Sequence, residues 1–240
     1  MMTETFVLVH GGWHGGWCWR ETAAHIRAQG HQVTTPTLTG LGERVHLMSR
    51  GTDLHTMIDD IINHLIWEDL FEVTLVGHSY AGCVLTGVAD RVPERLRRLI
   101  YMDTLWLTDG QCATDLMPAD TLSQRLQASA DLNGGIALPV PPPEAFGIET
   151  EPERSMLLEK LTPHPLASCT SKLSIKHPPG NGLPMTYIAC TAPAYPVMAE
   201  SRRAAEAAGV AVKELAAPHD AMIARPAETA DLLMRVAAGD

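Results

Sequence analysis

The sequence has no apolar run long enough to span a bilayer, so no membrane partner is expected. It is short of basic residues: 18 Lys and Arg stand against 28 Asp and Glu, a formal net charge of -10. Phosphate binding needs a basic surface, so no nucleic-acid partner is expected either. Only five cysteines occur, Cys18, Cys83, Cys112, Cys169 and Cys190, an odd number without metal-type spacing. They read as reduced thiols of a cytoplasmic protein rather than as a disulfide framework. The histidines lack paired spacing on one helix, so no metal site is expected. Met1-Met2-Thr3-Glu4-Thr5 has no basic n-region, and no signal peptide is expected. No internal repeat is visible. What is there is a chain of 240 residues, 45% hydrophobic and 19% charged, which suits one globular α/β domain with a sizeable core.

Short apolar runs alternate with helical patterns. Phe6–Val9, His31–Thr35, Val73–His78, Leu96–Met102, Pro184–Cys190 and Val210–Leu215 read as strands. Between them, Trp17–Gln29 is helical and closed by Gly30. Asp53 caps a helix with the stripe Met57, Ile58, Ile61, Ile62, Leu65 and Ile66. Ser201–Ala208 is helical, and Pro226 opens a final helix. Six strands alternating with helices predict a doubly wound, mostly parallel sheet. The alternation breaks from Thr104 to Leu183, a proline-rich interval with helical patches. So long a stretch is rarely structureless in a compact domain. It is expected to form a helical cap (104–183) inserted into a core made of 1–103 and 184–240.

The most informative stretch is Val73-Thr74-Leu75-Val76-Gly77-His78-Ser79-Tyr80-Ala81-Gly82. An apolar strand runs straight into a helix, with a serine between small residues at the junction. That is the pattern of a nucleophile elbow. Gly77 and Ala81 let strand and helix approach, and the helix N-terminus aims free N–H groups at the hydroxyl. Serine needs a base, and the base needs an orienting carboxylate. His219 is the base candidate, because it lies in a short loop between the last strand and the last helix. Asp103, at the end of the strand Leu96–Met102, is the acid candidate. Asp109 ranks well behind it, and Asp220 is too close to His219 in sequence to orient it. The oxyanion hole is expected from the N–H groups of Tyr80 and of Gly12 in His10-Gly11-Gly12-Trp13.

Together, His10-Gly11-Gly12-Trp13-His14-Gly15-Gly16-Trp17-Cys18-Trp19, Val76-Gly77-His78-Ser79, Tyr101-Met102-Asp103 and His219 resemble a known family. They are similar to the α/β-hydrolase branch of plant methyl esterases, hydroxynitrile lyases and bacterial carboxylesterases. The resemblance implies an α/β-hydrolase fold with an inserted helical cap, a Ser-His-Asp triad, a hydrophobic pocket and no cofactor. Three departures matter. The plant members place their acid in a Cys-Thr-x-Asp pattern, whereas this chain reads Cys190-Thr191-Ala192-Pro193. The lyases have a threonine at the position of Gly11 and a lysine at the position of Asp220. The last two differences point away from cyanohydrin cleavage and towards an esterase.

The expected reaction is therefore hydrolysis of a small apolar or aromatic ester through an acyl-enzyme. Amide or carbamate hydrolysis by the same groups is the alternative, and a non-catalytic receptor on the same fold is a second. Trp13, Trp106, Arg44 and His164 are the expected substrate contacts, with Met117 behind them. Trp17 and Trp19 are further candidates for an aromatic wall. The partners expected are a small-molecule ester and at most a second copy of the chain in a homodimer.

Overall fold

In the computed structural model, residues 3–240 are described; Met1 and Met2, where the expected core and leaderless N-terminus begin, lie outside the described residues. The first half alternates strictly: β1 (Thr5–Val9), α1 (Arg20–Ala28), β2 (Gln32–Thr34), α2 (Leu54–Trp67), β3 (Val73–His78), α3 (Ala81–Arg91) and β4 (Leu96–Met102). The interval 104–183 follows, with α4 (Ala119–Asn133), β5 (Ala137–Leu138), α5 (Glu153–Lys160), β6 (His164–Pro165) and α6 (Leu166–Thr170). The chain then returns through β7 (Met185–Cys190), α7 (Ala199–Ala207), β8 (Ala211–Leu215), α8 (Ala221–Ala224) and α9 (Pro226–Ala238). Helix α1 starts at Arg20 rather than Trp17, because Gly16–Trp19 form a separate 3-10 turn.

Six strands make one sheet in the order β2-β1-β3-β4-β7-β8, and every pairing in it is parallel. A parallel sheet needs both faces covered. Alternate strand residues do this with period two. Val7, Val9, Leu75, Leu99, Tyr101 and Tyr187 face α2 and α3. Phe6, Leu8, Val76, Ile100, Met102 and Ile188 face α1, α8 and α9. Helix α2 buries Met57, Ile58, Ile61, Ile62 and Leu65 as its stripe requires, each side chain contributing roughly 1.5–3 kcal/mol. Ile66, counted in that stripe from the sequence, turns outward and is 42% exposed.

The strand order reverses between β1 and β3, since β2 lies outside β1 and β4 lies outside β3. Such a switch point opens a crevice at the C-terminal ends of the strands. The loop after β1 and the turn after β3 therefore meet there. The interval 104–183 is attached above them by its own apolar residues. Leu107, Ala113, Leu138, Cys169 and Leu173 join the core layer that α2 and α3 form with the sheet.

Candidate active site

Strand β3 ends at His78, and α3 begins at Ala81, so only Ser79 and Tyr80 connect them. The turn holds Ser79 at φ +54°, a left-handed conformation that is costly for a residue with a side chain. Gly77 makes the turn feasible, because a Cβ there would stand 2.5 Å from Leu85 and 3.1 Å from the Ala81 carbonyl oxygen. Asp103 directly after β4 (φ +47°) and Trp13 after β1 (φ +66°) are also left-handed. Among the described residues, three of the six non-glycine residues with positive φ thus sit at this one place. Each stores on the order of 1–3 kcal/mol of strain, which the paired strands behind them sustain.

These strand ends bring Ser79, His219 and Asp103 together. His219 Nδ1 lies 2.6 Å from Asp103 Oδ2, and His219 Nε2 lies 3.0 Å from Ser79 Oγ. A carboxylate only accepts, so the proton belongs on Nδ1 and Nε2 is free to accept from the serine. The other Asp103 oxygen accepts from the Cys190 N–H at 3.3 Å, and the Asp103 N–H donates to the Ile188 carbonyl at 2.7 Å. The acid on β4 is thus held by the end of β7.

The oxyanion candidates, Gly12 and Tyr80, both line the cleft beside Ser79 and His219. Among the described residues, neither N–H is taken up by a backbone carbonyl. His10 sets the direction of the first one. Its Nδ1–H donates to the Gly11 carbonyl at 2.8 Å, and its Nε2 accepts from the Leu38 N–H at 3.0 Å. That carbonyl shares a rigid peptide plane with the Gly12 N–H, so fixing one aims the other. Burial pushes His10 down to about 3, which keeps it neutral for both bonds. Gly11 itself has no room for a side chain: a Cβ would stand 2.8 Å from Ser79 Cβ and 2.9 Å from His78 Nδ1.

Behind His219 lies a second buried group, which sequence reasoning missed. His14 donates from Nδ1 to the Gly12 carbonyl at 2.7 Å and from Nε2 to Asp220 Oδ2 at 2.9 Å. Both partners are pure acceptors, so His14 is an imidazolium. Burial opposes that charge, but Asp220 beside it outweighs burial and raises the His14 pKa. Burial likewise opposes charge on Asp220, and His14 outweighs it and holds the carboxyl low. His78 donates from Nε2 to the His219 carbonyl at 2.9 Å. Burial, with His219 second, keeps His78 neutral. His78, His219 and Asp220 bring ligand-type atoms within 4.8 Å of one another. Their bonds to backbone, serine and carboxylates already engage His78 Nε2 and both nitrogens of His219.

Of the expected substrate contacts, Trp13 and His164 line the cleft and Met117 joins them. His164 accepts from the Trp13 N–H at 3.4 Å and meets Ser168 Oγ at 2.9 Å, and burial pushes it down to about 3. Two expectations are corrected. Trp106 points into the core, where it packs 5.1 Å from Tyr101 and is 5% exposed. Arg44 lies on another surface, because its donors are met by the Thr37 carbonyl at 2.6 Å, Thr39 Oγ1 at 2.8 Å and Asp60 at 3.2 Å. Trp17 stacks on His14 and Trp19 is fully buried, so neither forms a cleft wall. Of the cleft residues that escaped the sequence reading, Tyr195 and Arg125 bear most on the chemistry. Tyr195, in the loop after β7, lays its ring 4.4 Å from that of His219. Arg125 on α4 lies over the Trp13 ring at 5.6 Å. Among the described residues, no helix is long and apolar enough to cross a membrane.

Residues 6–232 match the alpha/beta hydrolase family. Over 171 residues the chain is 40% identical to the carbendazim hydrolyzing esterase of Nocardioides sp. (strain SG-4G), covering 68% of this chain and 70% of that one. It is 29% identical over 174 residues to putative methylesterase 13, chloroplastic, of Arabidopsis thaliana, covering 69% of this chain but 37% of the plant protein. An extracellular alpha/beta-hydrolase from a Paenibacillus species, which shares structural and functional homology with tobacco salicylic acid binding protein 2, superposes with a TM-score of 0.85. That pair is 25% identical, over 99% of this chain and 100% of the other. With a family match along nearly its whole length and esterases among its relatives, the chain belongs to the alpha/beta hydrolase family and is a carboxylesterase-type hydrolase.

Proposed function

We propose that the protein hydrolyses a small ester with an apolar or aromatic body through an acyl-enzyme on Ser79. Ser79 Oγ attacks the carbonyl carbon while His219 Nε2 takes its proton. Asp103 holds the Nδ1–H tautomer and stabilises the imidazolium that forms. The Gly12 and Tyr80 N–H groups bind the oxyanion, each worth roughly 3 kcal/mol in the transition state. The alkoxide leaves with the proton from His219. Water, activated by the same imidazole, then cleaves the acyl-enzyme and returns the proton to Ser79. Residues 104–183 act as the cap, which supplies Met117, Arg125, Phe146 and His164 to the cleft wall.

The observation that carries this reading is the unbroken chain from Ser79 Oγ through His219 to Asp103, with contacts of 3.0 and 2.6 Å. Relatives named as esterases favour an ester over an amide, and a paired serine and histidine favour catalysis over a receptor. All five cysteines are free and buried, which fits a reducing compartment such as the cytoplasm. The test is labelling with an organophosphonate probe, with the adduct located by mass spectrometry. Label on Ser79 is expected. Ser79→Ala is expected to lose both the label and aryl-ester turnover, by a factor of about 10⁶, with little change in melting temperature. Turnover that survives in Ser79→Ala would remove Ser79 from the mechanism.

A further inference from the structure

Acids outnumber bases in this chain by 28 to 18, yet among the described residues no Asp or Glu lines the cleft. Histidines apart, the one ionisable cation there among the described residues is Arg125. Nine of the thirteen other arginines have clear acceptors, and the remaining four, Arg20, Arg203, Arg225 and Arg235, lie outside the cleft. Arg44, Arg91, Arg97, Arg154 and Arg202 meet carboxylates, while Arg27, Arg50, Arg95 and Arg98 donate to carbonyls. Arg125 has neither kind of partner among the described residues. It is half-buried, with its guanidinium over the Trp13 ring at 5.6 Å. It also lies beside Tyr195, whose ring covers His219 at 4.4 Å. Trp13 in turn follows the oxyanion candidate Gly12. A guanidinium without a counter-charge among the described residues therefore stands next to two residues at the reaction centre.

A half-desolvated guanidinium that meets the Tyr195 hydroxyl but no carboxylate matches one chemical shape best: a planar anion that can take two parallel N–H bonds. Burial in an apolar wall strengthens that pairing relative to water. A wholly neutral, apolar substrate would leave the charge without a partner in the closed complex, at a cost. We propose that Arg125 forms an anion subsite and that the preferred ester carries a carboxylate at the end remote from the scissile bond. This rests on the hydrolase reading above. Its substrate class is the half-ester of an aliphatic or aromatic dicarboxylic acid. Ser79 attacks the esterified end, and Arg125 holds the free one.

Two measurements test it. The first is kcat/KM for monomethyl dicarboxylates of graded length, each against the methyl ester with a carboxamide in place of the free carboxylate. The wild type is expected to favour the carboxylate. Arg125→Gln is expected to reduce that preference about 10-fold or more, chiefly through KM, and Arg125→Lys to retain part of it. The second is calorimetric binding of the best half-ester to Ser79→Ala, with and without Arg125→Gln, where about a 10-fold weakening is expected. Equal preference in wild type and Arg125→Gln, or binding insensitive to Arg125, overturns the subsite while leaving the hydrolase standing. An unlabelled Ser79 and no turnover of either ester would sink the hydrolase reading, and the calorimetry would still decide the subsite.

Discussion

On the floor of the cleft, Gly12, Ser79 and Asp103 hang from the ends of β1, β3 and β4, three adjacent strands of one parallel sheet. His219 is buried among them. On the opposite side, α4 carries Arg125 yet buries only Ser129, with Leu126 38% and Leu132 53% exposed. The difference separates two jobs. Proton transfer and oxyanion binding need positions fixed within fractions of an ångström, which strained turns braced by paired strands provide. Choosing a substrate needs only a wall of suitable chemistry, and a loosely anchored helix can supply one. Substitutions on the floor are accordingly expected to act on kcat, and those on the inserted side on KM and preference.

The sharpest way to break this division is Asp103→Asn. It keeps the shape but favours the wrong His219 tautomer, and kcat is expected to fall by about 10⁴ with folding intact. Near-normal steady-state rates would move the orienting acid elsewhere, Asp220 being the other carboxylate near His219. Next comes Asp220→Asn, which strands His14 without a counter-charge. Breaking a buried pair this way is expected to remove about 3–5 kcal/mol of stability, read by urea denaturation. The pH window follows from the two shifts. The lowered Asp220 pKa contributes stability above its unfolded value of 3.8, lost as pH falls through the folded one. The raised His14 pKa contributes below 6.5, lost as pH rises through the folded one. The difference between wild type and Asp220→Asn should thus be largest between those values. A flat difference across pH would show that the pair is not ionised.

The smallest effect lies on the inserted side. His164 is neutral in the fold down to about 3 but takes up a proton below 6.5 when the chain unfolds. Its contribution is complete above 6.5 and is lost as the solution is acidified, at about 1.4 kcal/mol per pH unit. His164→Gln is expected to flatten the acid limb of the stability curve by that slope. Parallel acid limbs would place the imidazole in water.

How much of this could be read from the chain differs between the same two regions. The elbow is local, since a strand, a serine and a helix within about ten residues identify each other by pattern alone. Asp103 was visible as a carboxylate closing an apolar run, and His219 as a histidine between the last strand and helix. Arg44 and Trp106 were misplaced for one reason: each follows a strand end, and nothing nearby tells which way it turns. Asp60, sixteen residues beyond Arg44, settles the first, and the Tyr101 ring settles the second. The His14–Asp220 pair spans 206 residues, and neither partner carries a local sign of the other. Arg125 looks like any solvated residue of a polar helix until the sheet brings Trp13 beneath it. Six strands in parallel were legible because buried parallel strands form short apolar runs between helices.

The crowding at Gly11 bears on how such a protein can change over generations. The lyases of the branch that the sequence resembles have a threonine at that position, but here the first carbon of any side chain would collide with both Ser79 and His78. A lineage drifting towards that chemistry would first have to reshape the neighbours, and each such step risks the existing activity before any new one arises. A missing side chain thus makes a change at this position require several coordinated substitutions rather than a single step.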